Sequence, residues 1–204
     1  MKRLRLEVAS DVVCPWCYIG KRRLEKALEL VKGEVETELR WLPFQLNPGM
    51  PREGMPRAQY REAKFGSLER SRQLDARVIA EGRSEGIEFA FDRIARTPNT
   101  TAAHQLIALA EDQNRVVDAL FRAYFEEAKD IGDPAVLAQI AAQCGVEGWP
   151  QEGEKRAGAV CALEDEVRAM GISAVPTFIF DRKSGVSGAY PAETLAAALK
   201  EAGR

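Results

Sequence analysis

The sequence predicts an α/β fold in which a β-α-β unit and a β-β-α unit share one mixed sheet, with a large all-helical insertion between them. Three observations predict it. Strand-like period-2 or β-rich runs lie only near the two ends of the chain. The long middle carries helical periodicity. Neither end alone buries a sufficient core, so the two must combine.

Residues 3–9 alternate polar and apolar, the signature of a strand with one face buried. Ser10-Asp11 ends it. From Tyr18, the residues Ile19, Leu24, Ala27, Leu28 and Val31 recur at helical spacing, with Lys21, Arg22, Glu25 and Glu29 on the surface and Gly33 as a stop. Residues 37–44 read as a second strand. A helical crossover this short implies that the two strands are parallel. Asn47-Pro48-Gly49, Pro51, Gly54 and Pro56 mark a loop. Helices are expected over 57–82, 99–112, 116–129, 134–144 and 151–170, with a non-helical link over 86–96 that holds Phe89 and Phe91. Asp133 and Pro134 suit an N-cap and a first helical position. After Gly171, Val175 to Phe180 reads as a strand, 181–185 as a turn, Val186 to Ala189 as a short strand and Pro191 to Ala202 as a closing helix. This gives residues 1–54 and 171–204 as one domain and 55–170 as the helical insertion.

The chain has 204 residues, 46% hydrophobic and 29% charged, with formal net charge −2. That composition is globular and gives no basic surface for nucleic acid or an anionic membrane. Lys2, Arg3 and Arg5 resemble the start of a signal peptide, but Arg5, Glu7 and Asp11 interrupt any apolar stretch behind them. The expected location is cytoplasmic, where four cysteines do not imply a disulfide scaffold.

Cys14-Pro15-Trp16-Cys17 lies between the first strand and the first helix. A helix N-terminus presents unpaired N–H groups and the positive end of the dipole, an environment that favours a reactive thiolate. Pro15 suits a first helical position. A C-x-x-C in a cytosolic chain points to redox chemistry or metal binding. Zinc needs two more ligands, and His104, Cys144 and Cys161 stand at no metal-like spacing. Cys144 and Cys161 are expected to be buried and inert, and Trp41, Trp149 and the phenylalanines to be core. Asp11, three residues before Cys14, reads as a turn or cap residue, or as a carboxylate that raises a thiol pKa.

Ser10 to Gly20, Pro43 to Pro48, Pro98 to His104, Leu120 to Phe125, Asp130 to Asp133, Val175 to Phe178 and Val186 to Ala189 stand in an order, spread over most of the chain, that resembles the DsbA family, specifically its cytoplasmic FrnE-like branch. The resemblance implies a thioredoxin-like fold with a helical insertion and thiol–disulfide oxidoreduction by Cys14 as nucleophile and Cys17 as resolver. It implies no organic cofactor. It also implies a cis Val175–Pro176 bond opposite the dithiol, with the Val175 backbone free to pair with an extended substrate. Trp16 stands where strongly oxidising members carry histidine, so Pro15 and Trp16 set a less oxidising couple. Asn99, Thr100 and His104 either form a face that closes over the dithiol to contact substrate or glutathione, or cap and pack their helix. The partners implied are disulfide-bearing proteins or peptides, with glutathione or a thioredoxin-type reductant closing the cycle; homodimerisation stays open. Two other readings remain. One is a glutathione-dependent isomerase or transferase of the 2-hydroxychromene-2-carboxylate isomerase or kappa class type, whose members typically carry serine at the first position. The other is a redox-linked holdase chaperone.

Overall fold

The computed structural model describes residues 3–204. Met1 and Lys2, the latter counted above in the basic N-terminal cluster, lie outside the described residues. The elements in order are β1 (Arg3–Ser10), α1 (Pro15–Leu30), β2 (Glu36–Pro43), β3 (Met55–Pro56), α2 (Arg57–Phe65), α3 (Leu68–Ser84), β4 (Arg96–Thr97), α4 (Thr101–Leu109), α5 (Gln113–Phe125), α6 (Pro134–Cys144), α7 (Gln151–Lys155), α8 (Ala157–Ala169), β5 (Thr177–Phe180), β6 (Ser184–Ser187) and α9 (Ala192–Ala202). Among the described residues no helix is long and apolar enough to cross a membrane.

Four strands form a mixed sheet in the order β2-β1-β5-β6. β1 runs parallel to β2 from the Arg3–Glu36 pair to the Ser10–Pro43 pair, with α1 as the crossover. β5 pairs antiparallel with β1 from Leu6–Phe180 to Ala9–Thr177, and β6 completes a hairpin. The ends of the chain therefore meet in one sheet although more than a hundred residues separate β2 from β5.

β1 is an inner strand, which corrects the expectation of one buried face. Glu7, on its polar side, is buried. Arg182, on the β5–β6 turn, donates to Glu7 through Nε at 2.7 Å, and Arg5 also pairs with it. Burial pushes the Glu7 carboxyl up, but the hydrogen bonds and charge of Arg182 and Arg5 outweigh it and hold the pKa below the usual carboxylate range. Lys21 likewise belongs inside, not on the surface as its charge suggested. It is buried between α1 and α5, where it pairs with Glu25 and reaches Asp118 at 3.0 Å.

The two longest helical stretches are each broken. Gly66 adopts φ +84° and ends α2, a conformation open to glycine. Ser67 then caps α3, its hydroxyl accepting the Arg70 N–H at 3.1 Å. The second stretch turns at Arg156, whose N–H bonds to the Gly153 carbonyl at 3.0 Å. Helical periodicity continues across both breaks, which is why the sequence read each as one helix. The two-residue ladder β3–β4 carries no period-2 pattern and was not anticipated.

Aromatic packing joins the helices between β2 and β5 to the sheet side of the molecule. Tyr18 on α1 stacks on Phe121 of α5 with ring centroids 5.0 Å apart. Phe125 meets Phe89 edge-on at 5.3 Å, and Phe89 stacks on Phe91 at 4.7 Å. Of the phenylalanines in the non-helical 86–96 link, Phe91 is thus a core residue and Phe89 packs half-buried against the core. On its other side α1 packs on α9, with Leu24, Ala27, Val31, Leu195 and Leu199 all buried.

α1 also approaches the loop before β5 closely. A Cβ built on Gly20 would stand 2.8 Å from Pro176 Cγ and 3.4 Å from Phe178 Cζ. Gly20→Ala should therefore separate α1 from this loop and destabilise the protein by about 1–3 kcal/mol, read by urea unfolding, although alanine favours helix intrinsically. A stabilising Gly20→Ala would show that the contact yields freely.

Candidate active site

Cys14 is the N-cap residue of α1, with extended backbone at φ −92° and ψ 113°. Pro15 follows at the first helical position. No side chain caps this helix and its first turn holds no acidic residue, so the positive end of the helix dipole faces the Cys14 position uncompensated. The loop itself is held by Asp11, whose carbonyl accepts the Cys14 N–H at 3.0 Å. The Cys17 N–H returns to the Cys14 carbonyl at 3.0 Å. Both cysteines are free thiols.

The two thiols differ in access. Cys14 is 5% exposed and Cys17 only 1%, while Trp16 between them is 36% exposed. Burial pushes the Cys17 thiol well above the ordinary value, and the neighbouring Cys14 adds to the shift. The Ser10 hydroxyl and the Asp11 backbone act the other way and are outweighed.

Opposite the dithiol, the Val175–Pro176 peptide is cis. The Cys14 Sγ–H points to the Val175 carbonyl at 3.8 Å. This loop is fixed from several sides. The Pro176 carbonyl accepts the Gly188 N–H at 2.8 Å. The Thr177 hydroxyl bonds to the Ala174 carbonyl at 2.8 Å and lies 2.9 Å from the Ser187 hydroxyl. The residues singled out at 14–17 and 175–176 thus meet, although 161 positions separate Cys14 from Val175.

Asn99, Thr100 and His104 take different places. The Asn99 side chain accepts the Thr101 N–H at 2.9 Å and donates to the Met50 carbonyl at 2.7 Å, so it ties the start of α4, whose N-cap residue is Thr100, to the loop after β2. Thr100 and His104 are buried. His104 Nε2 lies 3.4 Å from Asp11 Oδ1, and the other Asp11 oxygen accepts the Leu46 N–H at 2.8 Å. Of the two readings, the structure has Thr100 and His104 packed inside, with the imidazole beside the buried Asp11 carboxyl, and not on an exposed face. Ser10 Oγ, Asp11 Oδ1, Trp41 Nε1 and His104 Nε2 are buried without a hydrogen-bond partner among the described residues. Ser10, Trp41 and His104 line one cavity of about 240 Å³, roomy and polar enough for ordered water.

Cys161 is exposed on α8 and Cys144 half-buried at the end of α6, so neither is the fully buried thiol expected. Among the described residues no three His, Cys, Asp or Glu side chains converge where they would hold a metal ion.

Sequence reasoning missed two positioning residues. Arg23, taken for no role, is buried in α1 and donates to the Ala189 carbonyl at 2.6 Å, to Glu85 at 2.7 Å and to Glu81. It fastens the segment after β6 to α1 and α3. Glu164 accepts from the Gln45 N–H at 2.7 Å and from Arg168 at 2.7 Å, and so anchors the loop after β2 to α8. The burial that matters here depends on tertiary contacts, and charge patterning on single helices does not reveal it.

A dithiol at a helix N-terminus, set against a proline loop on a mixed four-stranded sheet with inserted helices, defines a protein of the thioredoxin-like redox class. Residues 5–200 match the model of the DSBA-like thioredoxin domain, and the chain belongs to that family. An uncharacterized Bacillus subtilis protein, YwbO, is 30% identical over 189 residues, 86% of each chain. The crystal structure of a probable DsbA oxidoreductase from Streptomyces coelicolor is 33% identical with a TM-score of 0.84, over 98% of this chain and 89% of that one. The structure of the cytosolic disulfide reductase DsbM from Pseudomonas aeruginosa with GSH shares the fold, at 20% identity and a TM-score of 0.61 over 97% and 93% of the two chains.

The burial of Cys17 makes a direct prediction. In a variant that keeps Cys17 as its sole cysteine, ultraviolet thiolate absorbance should develop only above the ordinary thiol pKa of about 8.5. A transition at or below that value would contradict the burial of this sulfur.

Proposed function

We propose that the protein is a thiol–disulfide oxidoreductase that reduces disulfides of protein or low-molecular-weight substrates through Cys14 and Cys17. The observation that carries this reading is the Cys14 sulfur itself, at the uncapped N-terminus of α1 and 3.8 Å from the Val175 carbonyl of the proline loop. The Cys14 thiolate attacks one sulfur of a substrate disulfide, forming a mixed disulfide and expelling the other sulfur as a thiolate that takes up a proton. Cys17 then loses its proton and attacks Cys14. The Cys14–Cys17 bond forms, the mixed disulfide breaks, and the substrate leaves as its second thiol. The protein has lost two electrons and the substrate has gained them. An external thiol or dithiol reductant reverses the oxidation of the protein.

The half-buried Val175 backbone lies beside Cys14, where an extended substrate segment gains main-chain hydrogen bonds as an added strand. Trp16 offers no imidazolium to hold a Cys14 thiolate, which supports a couple suited to reducing, cytosolic work. The GSH bound in the DsbM structure supports a low-molecular-weight thiol as a reaction partner here as well.

The test combines two measurements. Cys14→Ser should abolish insulin reduction, whereas Cys17→Ser should accumulate mixed disulfides. The potential of the wild-type couple should lie well below the roughly −120 mV of the strong oxidant DsbA. A wild-type protein that exchanges with no disulfide would overturn the proposal, and a potential as oxidising as DsbA's would overturn its direction.

A further inference from the structure

A groove of about 460 Å³ runs along α2 and α3, lined in part by Arg57, Arg61, Arg72, Leu68, Ile79 and Phe91. A separate cavity of about 30 Å³ shares Arg57, Arg61 and Phe91 with it and is also lined by Val13 and Pro15, the residues on either side of Cys14. Arg57, Arg61 and Phe91 therefore stand between the groove and the residues flanking the nucleophile proposed above.

Its charge is unbalanced. Arg57 Nη2 donates to Asp75 Oδ2 at 3.1 Å, and Arg61 Nη2 donates to Asp75 Oδ1 at 2.5 Å. Arg61 Nε also donates to the Ser71 hydroxyl at 2.7 Å. Two largely buried guanidinium groups thus share one carboxylate, and arginine does not give up its charge. Arg57 Nε and Nη1 and Arg61 Nη1 donate to no other described residue. Phe91 lies under the Arg57 guanidinium, 5.1 Å from its ring centroid, and holds it in orientation. Arg72 adds an exposed third cation to the wall and Asp92 the only further anion in it. Burial pushes the Arg61 pKa down, Asp75 pulls it up and the like charge of Arg57 pushes it down again. The remaining wall is apolar, which suits an organic acid more than a hydrated inorganic anion, and planar donors fit a carboxylate.

We propose that this groove binds a carboxylate carried by the substrate, so that Cys14 works preferentially on low-molecular-weight disulfides with an acid group near the sulfur. This inference rests on the disulfide-exchange reading and adds the substrate class to it.

The test compares three small symmetrical disulfides with the wild-type enzyme: anionic dithiodipropionate, neutral bis(hydroxyethyl) disulfide and cationic cystamine. A partly desolvated charge pair predicts a kcat/KM advantage of about tenfold for the anion over the neutral compound. The advantage should sit in KM and shrink as salt rises. Arg57→Gln and Arg61→Gln should narrow the ratio, whereas Asp75→Asn, which removes the shared anion, should widen it. Should these buried variants fail to fold, Arg72→Gln on the exposed wall should narrow the ratio in part, and the salt dependence of the wild type stands without any variant. Equal rates for the anionic and neutral compounds would overturn the inference while leaving the disulfide-exchange reading intact. A preference seen only when the acid flanks a cysteine in an oxidised peptide would overturn the assignment to small disulfides. Exchange with none of the three would defeat the underlying reading itself.

Discussion

The approach of α1 to the loop before β5 is the constraint on which the rest of the site depends. With no side chain on Gly20, the helix comes close enough to Pro176 that Cys14, at its start, meets the Val175 carbonyl. Each partner alone is ordinary: a helix N-terminus with a thiol, and a turn that enters a strand. Together they place a sulfur beside half-buried backbone and beside the positive end of a helix dipole. The sheet supplies the register, because β1 leads into the dithiol loop and pairs directly with β5.

Around that contact, buried charges act as fasteners. Arg23 holds the segment after β6, Asp11 and Glu164 hold the loop after β2, and Glu7 with Arg182 closes the β5–β6 turn on the central strand. Removing one partner of such a pair leaves a buried charge uncompensated, which is strongly destabilising. They join the two ends of the chain to the helices between them, so the site is framed by all parts of the molecule. Asp11 makes the point most economically. Its carbonyl shapes the Cys14 turn, one carboxyl oxygen binds the β2 loop, and the other approaches His104 from α4.

Much of this was legible in the sequence, for identifiable reasons. β1 announces itself by alternation and β5 by its apolar, β-rich run, and Cys14-Pro15-Trp16-Cys17 carries its own chemistry; β6, read as Val186 to Ala189, lies two residues earlier, at Ser184–Ser187, because SGVS carries no strand pattern. What escaped detection depends on three-dimensional neighbours. Lys21 and Arg23 look like surface charges until α5, α3 and the segment after β6 close over them. His104 read either as facing substrate or as packed, and the structure buries it beside Asp11. The helix breaks at Gly66 and Arg156 interrupt no hydrophobic stripe, and the two-residue ladder of Met55 and Pro56 with Arg96 and Thr97 is too short to leave a pattern. The Arg57–Asp75–Arg61 cluster spans two helices, so no window of sequence contains it.

The central claim is that Cys14 alone meets substrate and Cys17 waits behind it. The most direct measurement is mass mapping of Cys17→Ser after incubation with an excess of a small disulfide. The account predicts a stable adduct on Cys14 that forms faster than any on the exposed Cys161. An adduct confined to Cys161 or Cys144, with Cys14 left unmodified, would contradict it.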